Sequence, residues 1–172
     1  MWDSDQPYRI AVVCWGNICR SPMAEFVLRD AFEYAGLTEL VHIWSAGTST
    51  EELGRPMDQR TIAVLRRNAV SDTGFGDKRA VQFHSHSFDD ADLVLTADHV
   101  HQRILHERAR SEHDRAKIRM LRSFDPRAVA AGTLGMDDPW YGADEDFDLT
   151  YAEIVAAAPG IVDYVRDRLE AG

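Results

Sequence analysis

"RIAVVCWGNICRSPMAEFVL" (residues 9–28) joins an apolar run to a helix-forming run through one tight loop. Ile10, Ala11, Val12 and Val13 follow Arg9 and read as a buried strand that ends at Cys14. Ser21 is a good helix N-cap, and Pro22 suits the first helical position. Ala24, Val27, Leu28 and Ala31 then recur at helical spacing, and Gly36 is a natural stop. The loop between strand and helix holds a thiol, a glycine and a guanidinium. In sheets built from strand–helix–strand units, ligands bind at such a place, beyond the C-terminal ends of the strands.

The rest of the chain repeats the alternation. "ELVHIWS" (39–45), "ADLVLTA" (91–97) and "AKIRML" (116–121) read as three further strands. Asp58 caps a helix through Ile62 and Leu65 to about Asn68, and Asp98 caps another with Ile104 and Leu105 facing inward. "SDTGFGD" (71–77) is a loop, and residues 127–147 are mostly loop after one short helix. A last helix covers about residues 149–169, with a kink expected at Pro159. The pattern predicts an α/β fold, a four-stranded parallel sheet with helices on both faces. Residues 1–172 fit one domain of this Rossmann-like kind.

Composition narrows the function. A net charge of −10 argues against general nucleic-acid or anionic-membrane binding. No apolar run approaches the roughly 18–20 residues of a membrane span. "MWDSDQPY" has neither a basic nor an apolar region, so no signal peptide is read and the expected location is cytoplasmic, leaderless export staying open. A monomer or weak dimer is expected. The arginines of 103–127 are interspersed with Glu107, Glu112, Asp114 and Asp125, as on a salt-laced helix face. Residues 137–153 carry no Lys or Arg, and such an acidic sector can steer basic partners.

Chemistry concentrates in the Cys14 loop. The backbone N–H groups of Trp15, Gly16, Asn17, Ile18 and Cys19 can converge on one point, beside the positive end of the following helix. Gly16 allows unusual backbone shapes, and Asn17 tolerates left-handed geometry. Arg20 offers a planar fork for two oxygens of a phosphate, and the Ser21 hydroxyl can donate to the Cys14 sulfur. Such positive surroundings favour a thiolate, and a thiolate at the base of an oxyanion cradle is a nucleophile for phosphorus. A buried core cysteine is the plain alternative for Cys14 taken alone. A zinc site would need further ligands, and His84 and His86 are not at useful spacing from the cysteines. No metal and no cofactor are expected.

Phosphocysteine chemistry also needs a proton for the leaving oxygen. "DDPWYG" (137–142) supplies two carboxylates, Asp137 and Asp138, which spacing alone does not separate. Trp140 and Tyr141, with Trp15, can wall an aryl ring. Asp144, Glu145 and Asp146 read as solvated acids. Cys19 shares the loop with Cys14, and a disulfide between them can protect the nucleophile under peroxide. The plain reading is that Cys19 packs beneath the loop.

"VCWGNICRSP" resembles the Cys-x5-Arg-Ser signature of the low-molecular-weight protein tyrosine phosphatases. "WSAGT" (44–48), "DADLVLTAD" (90–98) and "DDPWYG" resemble family segments in the same order, across almost the whole chain. The resemblance implies the phosphotyrosine protein phosphatase I-like fold and hydrolysis of phosphotyrosine on proteins or peptides. It implies Cys14 as nucleophile, Arg20 as phosphate ligand and Asp138, before Pro139, as general acid and then base. It implies a bracing network of Asn17, Ser21 and Ser45. Family members often add a histidine to that network where this chain has Lys78 in "DKRAVQF", so different bracing is expected here. Two alternatives remain. Arsenate reductases of the same fold that couple to thioredoxin need a downstream cysteine relay, which is absent after Cys19, whereas a version that passes arsenic to an external small thiol needs only one cysteine and stays open. A phosphate-binding module would need neither nucleophile nor acid.

Overall fold

The computed structural model describes residues 5–172; the first four residues of the "MWDSDQPY" stretch lie outside the described residues. Strand β1 (Tyr8–Cys14) is followed by helix α1 (Arg20–Tyr34) and strand β2 (Val41–Gly47). Helix α2 (Gln59–Arg67), strand β3 (Leu93–Thr96), helix α3 (His99–Arg108), helix α4 (Glu112–Ala116) and strand β4 (Ile118–Met120) come next. Helices α5 (Pro126–Ala131) and α6 (Asp144–Ala171) complete the chain. The strands form one sheet in the order β2-β1-β3-β4, and every pair is parallel.

Alternation along β1 explains why both faces of the sheet are covered. Ile10, Val12 and Cys14 belong to one buried cluster, with Met23, Leu28, Ile154 and Ile161 from α1 and α6. Ala11 and Val13 belong to the other, with Phe83, Phe88 and Leu105. A strand buried on both sides reads as one apolar run, as "IAVVC" does. Cys14 ends the strand between β2 and β3, where the connections diverge to opposite sides of β1, and this switch point is where such sheets bind ligands.

Local signals account for several element ends. Asp58 accepts from the Arg60 amide at 2.9 Å to start α2, and Asp98 accepts from His99 at 2.7 Å to start α3. Gly36 adopts a left-handed φ of 71° after α1, with Leu37 N–H bonded to Phe32 O and Gly36 N–H to Glu33 O. That is the Schellman arrangement, which glycine favours.

Other ends differ from expectation. Helix α1 begins at Arg20 after Cys19, and Ser21 lies inside its first turn without capping it. The Ser21 hydroxyl is engaged by Cys14, Asn17 and the Ala46 carbonyl, so no oxygen remains for a cap. Pro22 is tolerated there because first-turn amides lack intrahelical partners anyway. Strand β2 reaches two residues past the expected end, to Gly47, because it pairs along the whole of β1. The short helix α4, capped by Ser111, was not foreseen. Helix α6 starts five residues earlier than expected because Asp146 accepts from the Ala143 amide at 2.7 Å. It runs through Pro159 as one element, and a Cβ at Gly160 would collide with the Phe124 carbonyl, so glycine permits that close approach.

Candidate active site

A cavity of about 120 Å³ opens at the end of β1, and Cys14, Ile18, Arg20, Asp138, Trp140 and Tyr141 are among its lining residues. The thiol meets its first partner inside the protein: Cys14 Sγ lies 3.0 Å from Ser21 Oγ. Asn17 Nδ2 donates to Ser21 Oγ at 2.8 Å and to Ser45 Oγ at 3.0 Å. Asn17 Oδ1 in turn accepts from the Val81 amide at 3.1 Å. Asn17 is the left-handed residue of the loop, with φ of 59°, and its three side-chain hydrogen bonds hold it there. Gly16 is not left-handed; its missing side chain leaves room for Glu52, whose Cγ would lie 3.1 Å from a Cβ at that position.

The backbone of the loop is tied from outside. The carbonyls of Cys14, Trp15 and Ile18 accept from the amides of Thr48, Ser49 and Asp58. Carbonyls committed in this way leave the loop's N–H groups as the donors available to an anion. Gly47 packs against the loop. A Cβ there would stand 2.6 Å from the Trp15 carbonyl oxygen, so β2 must carry glycine to let the loop approach.

Lys78 meets the Asn17–Ser21–Ser45 network at Ser45. Lys78 Nζ donates to the Ser45 carbonyl at 2.9 Å and pairs with the buried Glu25 of α1 at 3.6 Å. Glu25 also meets Arg29 at 3.2 Å. Burial pulls the Lys78 amine below its ordinary value, while Glu25 opposes that pull.

Asp138 and Arg20, 118 positions apart, come together. Arg20 Nη2 lies 3.5 Å from Asp138 Oδ2, and Arg20 Nη1 donates to the Met136 carbonyl at 2.9 Å. Asp138 Oδ1 accepts from the Trp140 amide at 3.1 Å, which starts a short turn over Pro139–Tyr141. Asp137 is exposed and is not among the lining residues. Trp15, Trp140 and Tyr141 are all substantially exposed at the mouth, and Trp140 and Tyr141 meet edge to face at 4.9 Å.

Not every foreseen residue lines the cavity. The side chains of Asn17, Ser21 and Ser45 are fully buried behind the loop and act on it from there. Cys19 lines the cavity but is 4% exposed. Burial pushes that thiol well up, and the charges of Asp58, Cys14 and Asp138 push the same way. Asp58 is raised by burial, but hydrogen bonds from Arg60 outweigh this and hold its carboxyl below the usual range. Among the described residues, no group of histidine, cysteine, aspartate and glutamate side chains could hold a metal ion. His84 and His86 stack on each other at 5.0 Å on the surface.

Four further contributors were not foreseen. Glu51 accepts from the Trp15 indole at 3.2 Å, and Glu51 and Glu52 both line the cavity. Arg60 donates to the Trp140 carbonyl at 3.3 Å, and His101 lies buried on α3 with burial and the charge of Arg20 pushing it down to about 4. No local pattern marks these residues, because each lies far along the chain from the group it faces at the site.

The family model for the low molecular weight phosphotyrosine protein phosphatase matches residues 9–171. The chain belongs to this family. The Streptomyces coelicolor low molecular weight protein-tyrosine-phosphatase is 46% identical over 95% of this chain and 96% of its own. The Mycobacterium tuberculosis low molecular weight protein-tyrosine phosphatase A is 39% identical over 95% and 94%. A crystal structure of the Entamoeba histolytica protein tyrosine phosphatase, with Hepes in its active site, superposes with a TM-score of 0.84 at 25% identity, covering 93% of this chain and 97% of that one. This phosphatase therefore has the α/β fold read from its strand–helix alternation. Of the arginines in 103–127, Arg110 pairs with Asp114 and with the more distant Asp89, and Arg115 pairs with Glu112, whereas Arg108 donates to the Phe83 and Thr48 carbonyls. Among the described residues no helix is long and apolar enough to cross a membrane.

Proposed function

We propose that this phosphatase, acting as one domain, cleaves phosphotyrosine on proteins or peptides through a phosphocysteine on Cys14. The observation that carries this reading is the joint placement of Cys14, Arg20 and Asp138 on one cavity, with Arg20 and Asp138 3.5 Å apart. Arg20 holds two phosphate oxygens while one of its nitrogens stays on the Met136 carbonyl. Cys14 Sγ attacks phosphorus and the phosphorus–phenol oxygen bond breaks. Asp138, entering protonated, gives its proton to the departing oxygen. Water then attacks the phosphocysteine, Asp138 takes the proton, the sulfur–phosphorus bond breaks, and inorganic phosphate leaves. With its single hydrogen turned from the Ala46 carbonyl, 3.2 Å away, to Sγ, 3.0 Å away, the Ser21 hydroxyl stabilises the thiolate both as nucleophile and as leaving group.

The aromatic residues at the mouth favour an aryl ester. A phosphotyrosine ring reaching Cys14 passes between Trp15 and the Trp140–Tyr141 pair, whereas a phosphoserine leaves these surfaces unused. Glu51 and Glu52 on the cavity, with the acidic stretch 137–153, favour peptides carrying basic residues beside the tyrosine. Rapid acid quench followed by mass spectrometry tests the mechanism. The expected result is one phosphate on Cys14, absent in Cys14→Ser. Phosphate on a histidine or aspartate overturns it.

A further inference from the structure

We propose that Arg122 is a positioning residue for Asp138, clamped in place by Glu153; this rests on the assignment of Asp138 as the acid. Asp138 reaches the cavity from a stretch with no helix or strand, between α5 and the turn at Pro139–Tyr141. A side chain on such a stretch is only as well placed as the backbone that carries it. Three bonds hold that backbone just before Asp138. The Met136 amide donates to the Ala97 carbonyl at 2.9 Å, Arg20 donates to the Met136 carbonyl at 2.9 Å, and Arg122 Nη1 donates to the Gly135 carbonyl at 2.7 Å. The first is a simple strand-end contact. Arg20 also faces the substrate. Arg122 does not line the cavity, so its bond serves the loop alone.

Gly135 is trapped between Arg122 and α3. A Cβ there would stand 2.6 Å from Asp98 Oδ1, the cap of that helix. Arg122 itself is fixed from the far side. Its Nε faces Glu153 Oε2 of α6 at 3.5 Å, and both side chains are only 15% exposed. Neither atom has a hydrogen-bond partner, so the two charges hold each other electrostatically in a poorly solvated place. Burial pushes the Glu153 carboxyl up, Arg122 opposes this, and Asp137 on the acid loop adds to it. Arg122 thus joins three elements: the turn after β4, the loop that carries the acid, and α6.

Such a strut acts first on proton delivery, because Arg20 keeps its own bond to the Met136 carbonyl. Its loss is therefore felt in proportion to the proton demand of the leaving group. The test is single-turnover formation of the phosphocysteine on a phosphotyrosine peptide and on nitrophenyl phosphate. Arg122→Gln is expected to slow the peptide about tenfold and nitrophenyl phosphate less than about twofold. In an Asp138→Asn background the same change is expected to add nothing on the peptide. Glu153→Gln keeps every hydrogen bond of the loop and is expected to give about a threefold loss on the peptide alone. Equal slowing of both substrates by Arg122→Gln and by Glu153→Gln, or a full additional loss in the Asp138→Asn background, overturns the strut. If Asp138→Asn alone slows both substrates equally, the acid assignment falls and the strut falls with it. A steep leaving-group response in Asp138→Asn beside a flat one in both strut variants removes the strut and leaves the acid standing.

Discussion

The Cys14 loop and the Asp138 loop meet at one cavity but are held in different ways. The first is braced by fully buried side chains, Asn17, Ser21 and Ser45, and by carbonyls tied to three neighbouring amides. The second is half-exposed, with Asp138 about one-third accessible and Trp140 about half. Guanidinium groups reach its carbonyls from outside: Arg122 at Gly135, Arg20 at Met136 and Arg60 at Trp140. A cradle for an oxyanion must be preorganised before substrate arrives, which a buried network achieves. An acid has only to reach one oxygen. The two loops should therefore fail differently: damage to the cradle strikes every substrate alike, and damage to the acid loop strikes in proportion to leaving-group basicity.

Four experiments probe that contrast, beginning with the largest effect. Arg20→Lys keeps the charge but loses the fork, and kcat is expected to fall by about 10²–10³ on both substrates. A kcat within about threefold of wild type contradicts the role. Asp138→Asn is expected to slow phosphotyrosine peptide by about 10²-fold or more and nitrophenyl phosphate far less, measured in single turnover. Tyrosine leaves near pKa 10, whereas a nitrophenolate needs little help. Asp137→Asn should cost little on either; if it shows the steep dependence, the wrong carboxylate has been chosen.

Lys78→Met tests the cradle from behind. It leaves the Ser45 carbonyl unbonded and Glu25 with Arg29 alone. A loss of about 1–3 kcal/mol in stability is expected by denaturant unfolding, with equal, few-fold slowing of both substrates. A leaving-group-dependent loss would instead tie Lys78 to the acid loop. The smallest effect concerns Cys19. Its Ser variant is expected to turn over normally but to recover less activity with dithiol after peroxide, as Cys14 climbs to sulfinic acid. The buried thiol, held protonated beside Asp58, makes this protection slow. Equal recovery in both proteins would make Cys19 a packing residue beneath the loop.

The cradle was readable because its parts are contiguous. Cys14, Asn17, Arg20 and Ser21 span eight positions, and a loop that short has few ways to arrange them. Ser21 exposes the limit of local reading: its type and place suit a cap, yet three tertiary partners claim its hydroxyl. The acid could be narrowed to two neighbouring residues from chemistry, and family resemblance chose between them. Lys78 was found but its action was not, because its partners Ser45 and Glu25 lie 33 and 53 positions away.

The sequence by itself determined the alternation of strands and helices, the apolar faces of β1, and the order of thiol, asparagine and guanidinium in the first loop. These depend on periodicity and on neighbours along the chain, which the backbone brings together whatever else happens. Only the tertiary structure decided that Arg20 faces Asp138, that Gly47 must lack a side chain beneath Trp15, and that Arg122 and Glu153 stand behind the acid loop. Those contacts join residues from 13 to 118 positions apart. No pattern along the chain encodes them, because they form only when the packing of helices on both faces of the sheet closes the distance.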